Sequence, residues 1–222
     1  MGRLFVFTLG YHENFAIRRL MEHHASRGDS VLGFTLMPAA GAAERAWESL
    51  KAFASRLGLE PHGLVELDCS NLAEASLIVA ARVKGLGGYV VADLTGGPRC
   101  VVIAVFIGLI ASGAKGEAWI QVEGGGGGED RIPLTILRVL REGVSEARRR
   151  MLCAVARDPG IRPAELAEEL DVSLKTVQNS LSELKRLGLV YQRGRGGGIY
   201  LTSWGRLFAC HEHQASATPI RA

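Results

Sequence analysis

Aromatic residues make up only 6% of the 222-residue chain, cysteines number four, and no internal repeat is visible. With so few rings the core must be built mainly from aliphatic side chains, and 28 glycines supply tight backbone approaches. The cysteines, Cys69, Cys100, Cys153 and Cys210, form no C-x-x-C pair, which excludes zinc-ribbon and thioredoxin readings. Reduced thiols in a cytoplasm are the expectation, hyperthermophile cytoplasms being the known exception. No signal peptide is legible in Met1 to Leu9, which has one basic residue and an alternating apolar run but no long apolar region or cleavage site. The longest apolar stretch, Cys100 to Ala111, would span roughly 18 Å as a helix against a bilayer core of about 30 Å. It reads as a buried helix, not a membrane anchor, and a cytoplasmic location follows as the expectation.

What is present is the balance of a globular protein, 47% hydrophobic and 22% charged, with length for one large or two medium domains. Disorder, collagen and coiled coil are excluded. The net charge of +3 is unevenly distributed. From Ser145 to Arg206 there are 11 basic and 7 acidic residues, and the rest of the chain has 15 and 16. Within that segment Ser173 to Arg195 holds five basic residues against Glu183 alone. A small basic footprint on a balanced domain suits phosphate-backbone binding, with a solvated helix face as the alternative.

Five short apolar runs have strand length: Leu4 to Leu9, Val31 to Met37, Leu64 to Leu67, Tyr89 to Leu94 and Ala118 to Val122. Helix-length segments lie between them, one of which puts Trp47, Leu50, Phe53 or Ala54, and Leu57 on one face. Such alternation predicts an α/β, Rossmann-like, doubly wound sheet with right-handed crossovers. Arg131 to Leu134 is a candidate edge strand, followed by a helix from about Leu134 to Arg141. Residues 1–133 are therefore read as a Rossmann-like domain, 134–144 as a linker helix, 145–213 as a second domain and 214–222 as a flexible tail.

In the second domain Ser145 to Arg157 and Pro163 to Leu170 read as helices, and Ser173 as the N-cap of a third. Val177, Leu181, Leu184 and Leu187 recur on one face of that third helix. Lys175, Asn179, Ser182 and Arg186 form the opposite stripe, flanked by Thr176 and Gln178, and these are side-chain types that contact phosphates and base edges. A hairpin follows, Leu189 to Gln192 and Ile199 to Thr202, with Arg193 and Arg195 at its Gly-rich tip. The series resembles a winged helix-turn-helix with Thr202 or Ser203 capping a closing helix, and double-stranded DNA is its expected partner. A winged helix used only for protein contacts is the bland alternative.

Ligands of an open doubly wound sheet sit outside the strand carboxyl ends where strand order reverses. Here those ends carry Leu9 to Asn14 and Asp93 to Arg99. The second loop offers the Thr95 hydroxyl, amides freed by Gly96 and Gly97, a helix N-terminus near Pro98, and Arg99, all donors suited to an anion. Neither loop is a G-x-G-x-x-G fingerprint or a Walker loop, which argues against NAD and ATP. Asp93 reads as structural, an Asx turn bonding its own loop amides. Cys210-His211-Glu212-His213 invites a metal reading but sits at a helix end without four converging ligands, so no metal or other cofactor is expected.

Leu9-Gly10-Tyr11-His12-Glu13, Glu48-Ser49-Leu50 with Ser55-Arg56-Leu57, Ala92 to Arg99, and Glu123 to Gly126 give the chain its likeness. It resembles the archaeal CRISPR-associated transcription regulators, of the subtype I-A kind, that join a CRISPR-associated Rossmann fold (CARF) sensor to a winged helix-turn-helix. The resemblance implies a homodimer whose sensor domains share one pocket for a cyclic oligoadenylate, most often the tetra-adenylate. It also implies operators at CRISPR leaders or the promoters of their associated genes, and a role in antiviral defence. Carried over by position, Gly10, Tyr11, His12 and Glu13 line one side of that pocket. Thr95, Gly96, Gly97, Pro98 and Arg99 hold phosphate and ribose on the other, with Pro38 and Arg45 flanking. Glu13 also reads as an early-turn acid favoured by the helix dipole. The chain is thus expected to be a regulator and not an enzyme. A ring nuclease that orients the ligand's own 2′-hydroxyl for in-line attack is the alternative, and an adaptor for other CRISPR proteins the third.

Overall fold

A computed structural model describes residues 2–121, 128–194 and 197–209, and divides into two compact units, 1–134 and 135–222. The first opens on β1 (Arg3–Thr8), α1 (Asn14–Glu22), β2 (Ser30–Leu36), α2 (Gly41–Arg56) and β3 (Glu60–Leu67). It continues through α3 (Leu72–Leu86), β4 (Tyr89–Asp93), α4 (Arg99–Ser112), β5 (Lys115–Gln121) and β6 (Glu129–Pro133). The sheet order is β3-β2-β1-β4-β5-β6, with β6 alone antiparallel to its neighbour. β1 therefore lies between β2 and β4, and the chain reverses its winding at the β1/β4 step. That step is where such a sheet opens a crevice at its strand tips.

Apolar side chains alternate across the strands, so each face of the sheet buries its own set. One face packs Phe5, Phe7, Val31 and Val91 against Leu20 of α1 and Trp47 and Leu50 of α2. Leu4, Val6, Leu32, Phe34 and Ala92 are buried at the alternate positions, with α4 packed on β1 and β2. α3 and α4 lie close together because α4 has Gly108 at the contact. A Cβ there would stand 2.5 Å from Val79 Cβ and 2.8 Å from the Ser76 carbonyl oxygen.

Three expectations about this unit are corrected. The Cys100 to Ala111 helix is not buried all round: Ile103, Ile107 and Ile110 are 48%, 40% and 38% exposed, at i, i+4 and i+7. Leu57 caps the end of α2 and is 36% exposed, instead of sharing the buried face of Leu50. The edge strand is β6 at Glu129–Pro133, two residues earlier than the hydrophobic pattern suggests.

The second unit contains the body of α5 (Leu134–Glu142), then α6 (Glu146–Arg157), α7 (Pro163–Leu170) and α8 (Leu174–Arg186). A hairpin of β7 (Val190–Gln192) and β8 (Ile199–Leu201) and the short α9 (Ser203–Phe208) complete it. Asp171 ends α7 in the left-handed region, φ 52°, which turns the chain sharply before α8. Met151, Leu152 and Val155 of α6, Leu166 and Leu170 of α7, and Val177, Leu181 and Leu184 of α8 are buried. Cys153 is disulfide-bonded, against the expectation of reduced thiols, whereas Cys69 and Cys100 are free. Among the described residues no helix is long and apolar enough to cross a membrane. The Cys210 to His213 cluster, the Glu123 to Gly126 segment and Arg195 lie outside the described residues.

Candidate functional sites

The first candidate site is the β1/β4 crevice. Phe7 pairs with Asp93, so the two chains leave the sheet at the same level and run on side by side. Their separation is set by glycine: a Cβ on Gly10 would be 3.1 Å from Gly97 Cα, and one on Gly96 would be 2.7 Å from the Thr8 carbonyl oxygen. Gly97 has φ +82° and packs on the Thr8–Leu9 backbone, a conformation and a closeness that L side chains rarely tolerate. Thr8 Oγ1 donates to the Gly96 carbonyl at 2.5 Å, fastening one loop to the other. The structure thus brings together Gly10, Gly96 and Gly97, and His12 joins Asp93 and Gly96 in a small hollow floored by Phe15 and Ala16.

Asp93 is 2% exposed and works as the sequence suggests: its Oδ1 accepts the Thr95 amide at 2.9 Å. Thr95 in turn accepts the Gln121 amide at its hydroxyl, 3.1 Å away, leaving the hydroxyl proton for another acceptor. Pro98 is the N-cap of α4 and offers no side-chain hydrogen bond, so the first amides of a 14-residue helix lack a side-chain cap beside the exposed Arg99. Unsatisfied amides at a helix start favour an anion. Tyr11 is 81% exposed. Glu13 is the N-cap residue of α1, makes no side-chain cap bond, and supplies its carbonyl to the Ile17 amide.

Pro38 and Arg45 belong to the neighbouring β2 tip and the helix that follows it, β2 being bound to the end of β1 through the Leu9 amide and the Thr35 hydroxyl. Pro38 follows a cis bond in the loop beyond β2, and the Arg45 guanidinium lies near Gly41 at the start of its own helix. No hydrogen bond or ion pair among the described residues joins either to the β1 and β4 loops. Residues that sequence reasoning passed over are Thr8, Arg19 and Gln121. Arg19 carried one signal, a basic residue in a helix that must pack on a sheet whose fourth strand ends in a lone acid.

The second candidate site is the outer face of α8. Ser173 caps the helix, its hydroxyl accepting the Thr176 amide at 3.1 Å and bonding the Thr176 hydroxyl at 2.8 Å. Opposite the buried stripe, Lys175, Thr176, Gln178, Asn179, Ser182 and Arg186 are all exposed. Arg186 Nε donates to Glu183 at 3.0 Å, and that carboxylate holds the guanidinium above its ordinary pKa. Lys185 reaches Gln192 of the wing at 2.5 Å, and Gln192 donates to the Gly197 carbonyl at 2.7 Å, so helix and wing share a polar seam. Arg193 lies 4.8 Å over the Tyr200 ring, which itself stacks on Tyr191 at 5.5 Å. The exposed cations and amides thus flank each other on the reading helix and the wing.

These features define a protein with a Rossmann-like domain, its strand-tip loops locked together by glycines, followed by a winged helix-turn-helix. Residues 3–133 match the Csa3 CRISPR-associated Rossmann-like domain, and residues 145–191 match a winged helix-turn-helix DNA-binding domain. The first match covers more than half of the chain, which therefore belongs to the Csa3 family. A relative is Csa3 of Saccharolobus solfataricus, a candidate CRISPR locus-related DNA-binding protein. It is 29% identical over 198 residues, 89% of this chain and 84% of that one. Among solved structures, Can2 from Sulfobacillus thermosulfidooxidans in complex with cyclic tetra-adenylate is 12% identical. That match covers 93% of this chain and 63% of the other at a TM-score of 0.42. A transcriptional regulator from Thermotoga maritima is 23% identical over 34% of this chain and 57% of its own, at a TM-score of 0.30. A MarR family transcription regulator is 26% identical over 33% of this chain and 52% of its own, also at 0.30. The chain spans between half and two thirds of these solved chains.

Proposed function

We propose that this protein is a DNA-binding regulator of CRISPR-associated genes or arrays whose paired N-terminal domains take a cyclic oligoadenylate, the tetra-adenylate by preference. The observation that carries the reading is the presence, in one chain, of an anion-ready crevice and an exposed stripe of cations and amides. Gly96, Gly97, the open start of α4, Thr95 and Arg99 supply donors for phosphate at the β1/β4 step. Tyr11 and Arg99, exposed at the rim, are free to meet a ligand shared with a second copy. Pairing is supported by the exposed stripe Ile103, Ile107 and Ile110 on α4, and the neighbouring helix α3 exposes Leu77 as well, at 60%. A row of aliphatic side chains facing water on a closed domain suits an isologous helix-to-helix contact.

On the DNA side, α8 enters the major groove with Lys175, Gln178, Asn179, Ser182 and Arg186, while Ser173 and Thr176 close its start near the phosphates. Arg193 and Arg195 contact the backbone or the minor groove from the wing. The operator is a CRISPR leader or the promoter of an associated gene. Calorimetry with cyclic tetra-adenylate and cyclic hexa-adenylate, with light scattering for mass, tests the sensor. One tetra-adenylate per two chains is the expected stoichiometry, and a monomer that binds neither ring would refute it. His12 beside Asp93 is the observation that favours a ring nuclease. Incubation with labelled cyclic tetra-adenylate separates the two readings, because a regulator returns the ring intact and a nuclease returns linear product.

A further inference from the structure

Arg19 is the bulkiest fully buried side chain among the described residues, 1% exposed. A guanidinium withdrawn from water costs several kcal/mol unless it is fully paired, and an aliphatic residue would fill the same core more cheaply. Each of its three nitrogens has a carboxylate partner, and the partners come from three elements. Nε donates to Asp93 Oδ2 of β4 at 3.1 Å, one terminal nitrogen to Glu22 of α1 at 2.7 Å, and the other to Glu129 of β6 at 2.9 Å. The Trp119 ring of β5 lies against the guanidinium at 4.2 Å.

Asp93 is shared. Its second oxygen holds the Thr95 amide, and the Thr95 hydroxyl holds the Gln121 amide, so the chain of bonds runs from β6 through α1 to the tip of β4 and on to β5. β6 ends at Pro133 and α5 begins at Leu134, with no residue between them. We infer that Arg19 is the positioning residue that ties the conformation of the 94–99 loop to that of β6. An anion held by the loop is then felt at the strand that leads directly into α5. The ligand half of this inference rests on the function proposed above; the structural half does not.

The forked geometry is what makes the link, since a lysine cannot span three carboxylates in fixed directions. Two variants of the full chain test it, Arg19→Lys, which keeps a cation, and Glu129→Gln, which keeps the core guanidinium and replaces the charged partner that β6 offers to Arg19 and to its neighbour Arg18 with a neutral, weaker acceptor. Hydrogen exchange without ligand is the first readout. The amides of Thr95 and Gln121 should exchange about tenfold faster in Arg19→Lys, with α8 unchanged, because the local opening free energy falls. Unaltered exchange at both amides would overturn the assignment whatever nucleotide the protein binds. DNA affinity with and without cyclic tetra-adenylate is the second readout. In Glu129→Gln the affinity of free protein for DNA should stay within about twofold, while the ligand-induced change should shrink about fivefold or more. A ligand effect of wild-type size in Glu129→Gln would overturn the link to β6. Failure of cyclic tetra-adenylate to bind the wild type would instead remove the ligand reading, and the exchange measurement would still decide the role of Arg19.

Discussion

The two units handle charge in opposite ways. In the N-terminal unit three carboxylates are withdrawn and paired: Asp93 with the equally buried Arg19, and Asp29 and Glu117 with Arg3 at 2.6 Å and Arg131 at 3.1 Å, whose side chains reach solvent. The Asp93 pair stands at the tip of β4, beside a crevice whose own donors are mostly backbone amides. In the C-terminal unit the ions of α8 and the wing face outward, and among the described residues Arg186 pairs with its helical neighbour Glu183. On the function proposed above, the first arrangement suits a small ligand of fixed shape, where buried pairs set positions. The second is built for a long polyanion, where exposed cations add up and salt screens them.

Substitutions should separate these two behaviours. The largest effect is expected from Lys175→Ala, Arg186→Ala and Arg193→Ala combined. DNA affinity should fall about a thousandfold at low salt, and the slope of log affinity against log salt should shrink by about 2 to 3 as up to three phosphate contacts are lost. Filter binding across a salt series reads this directly, and an unchanged slope would contradict the α8 assignment. Gly97→Ala comes next. With φ +82° and the Thr8–Leu9 backbone within 3.4 Å of a new Cβ, it should destabilise the N-terminal unit by about 1 to 3 kcal/mol and abolish nucleotide binding. Its DNA affinity without ligand should hardly change.

Arg99→Ala should weaken cyclic tetra-adenylate binding by about 10- to 100-fold, as expected for one charge-assisted contact, without touching basal DNA affinity. Arg45→Ala sharpens the comparison within the sensor. Its guanidinium lies beside Gly41 at the exposed start of its own helix, so the loss should be within about threefold. A larger effect of Arg45 than of Arg99 would move the site toward β2. The smallest effect is on acid stability. His23 packs between Phe5 and Trp119, and burial pulls its pKa below the ordinary 6.5, with Glu117 opposing and Arg19 and Arg3 assisting. A lowered folded pKa means stability that is complete above about pH 6.5 and lost as pH falls through the folded value. Thermal melts from pH 7.5 to 5 should show this loss, and His23→Gln should flatten it.

Much of this layout was legible in the sequence where one physical signal dominated. Leu4 to Leu9 and Tyr89 to Leu94 are apolar enough to demand burial on both faces, and they became the β1 and β4 whose tips form the crevice. The α8 stripe was legible because Val177, Leu181 and Leu184 fix which face is inside, and the exposed face follows. β3 begins four residues before its apolar run, at Glu60, because Pro61 and Gly63 are tolerated at a sheet edge. β5 likewise begins at Lys115, where Glu117 is buried against Arg131 and His23, a pairing across strands that no local pattern reveals. Arg19 was hidden for the same reason: its three carboxylates lie at positions 22, 93 and 129. The aliphatic stripe of α4 reads as core in the sequence because hydrophobicity alone does not distinguish an interior from an exposed helix face.

Linkage offers the most direct test of the whole account. The affinity of the full-length protein for a duplex from a CRISPR leader should be measured with and without saturating cyclic tetra-adenylate, and the ligand's affinity with and without that duplex. The account predicts a shift of about fivefold or more in each, equal in factor and in direction. Identical DNA affinity at saturating ligand would contradict it.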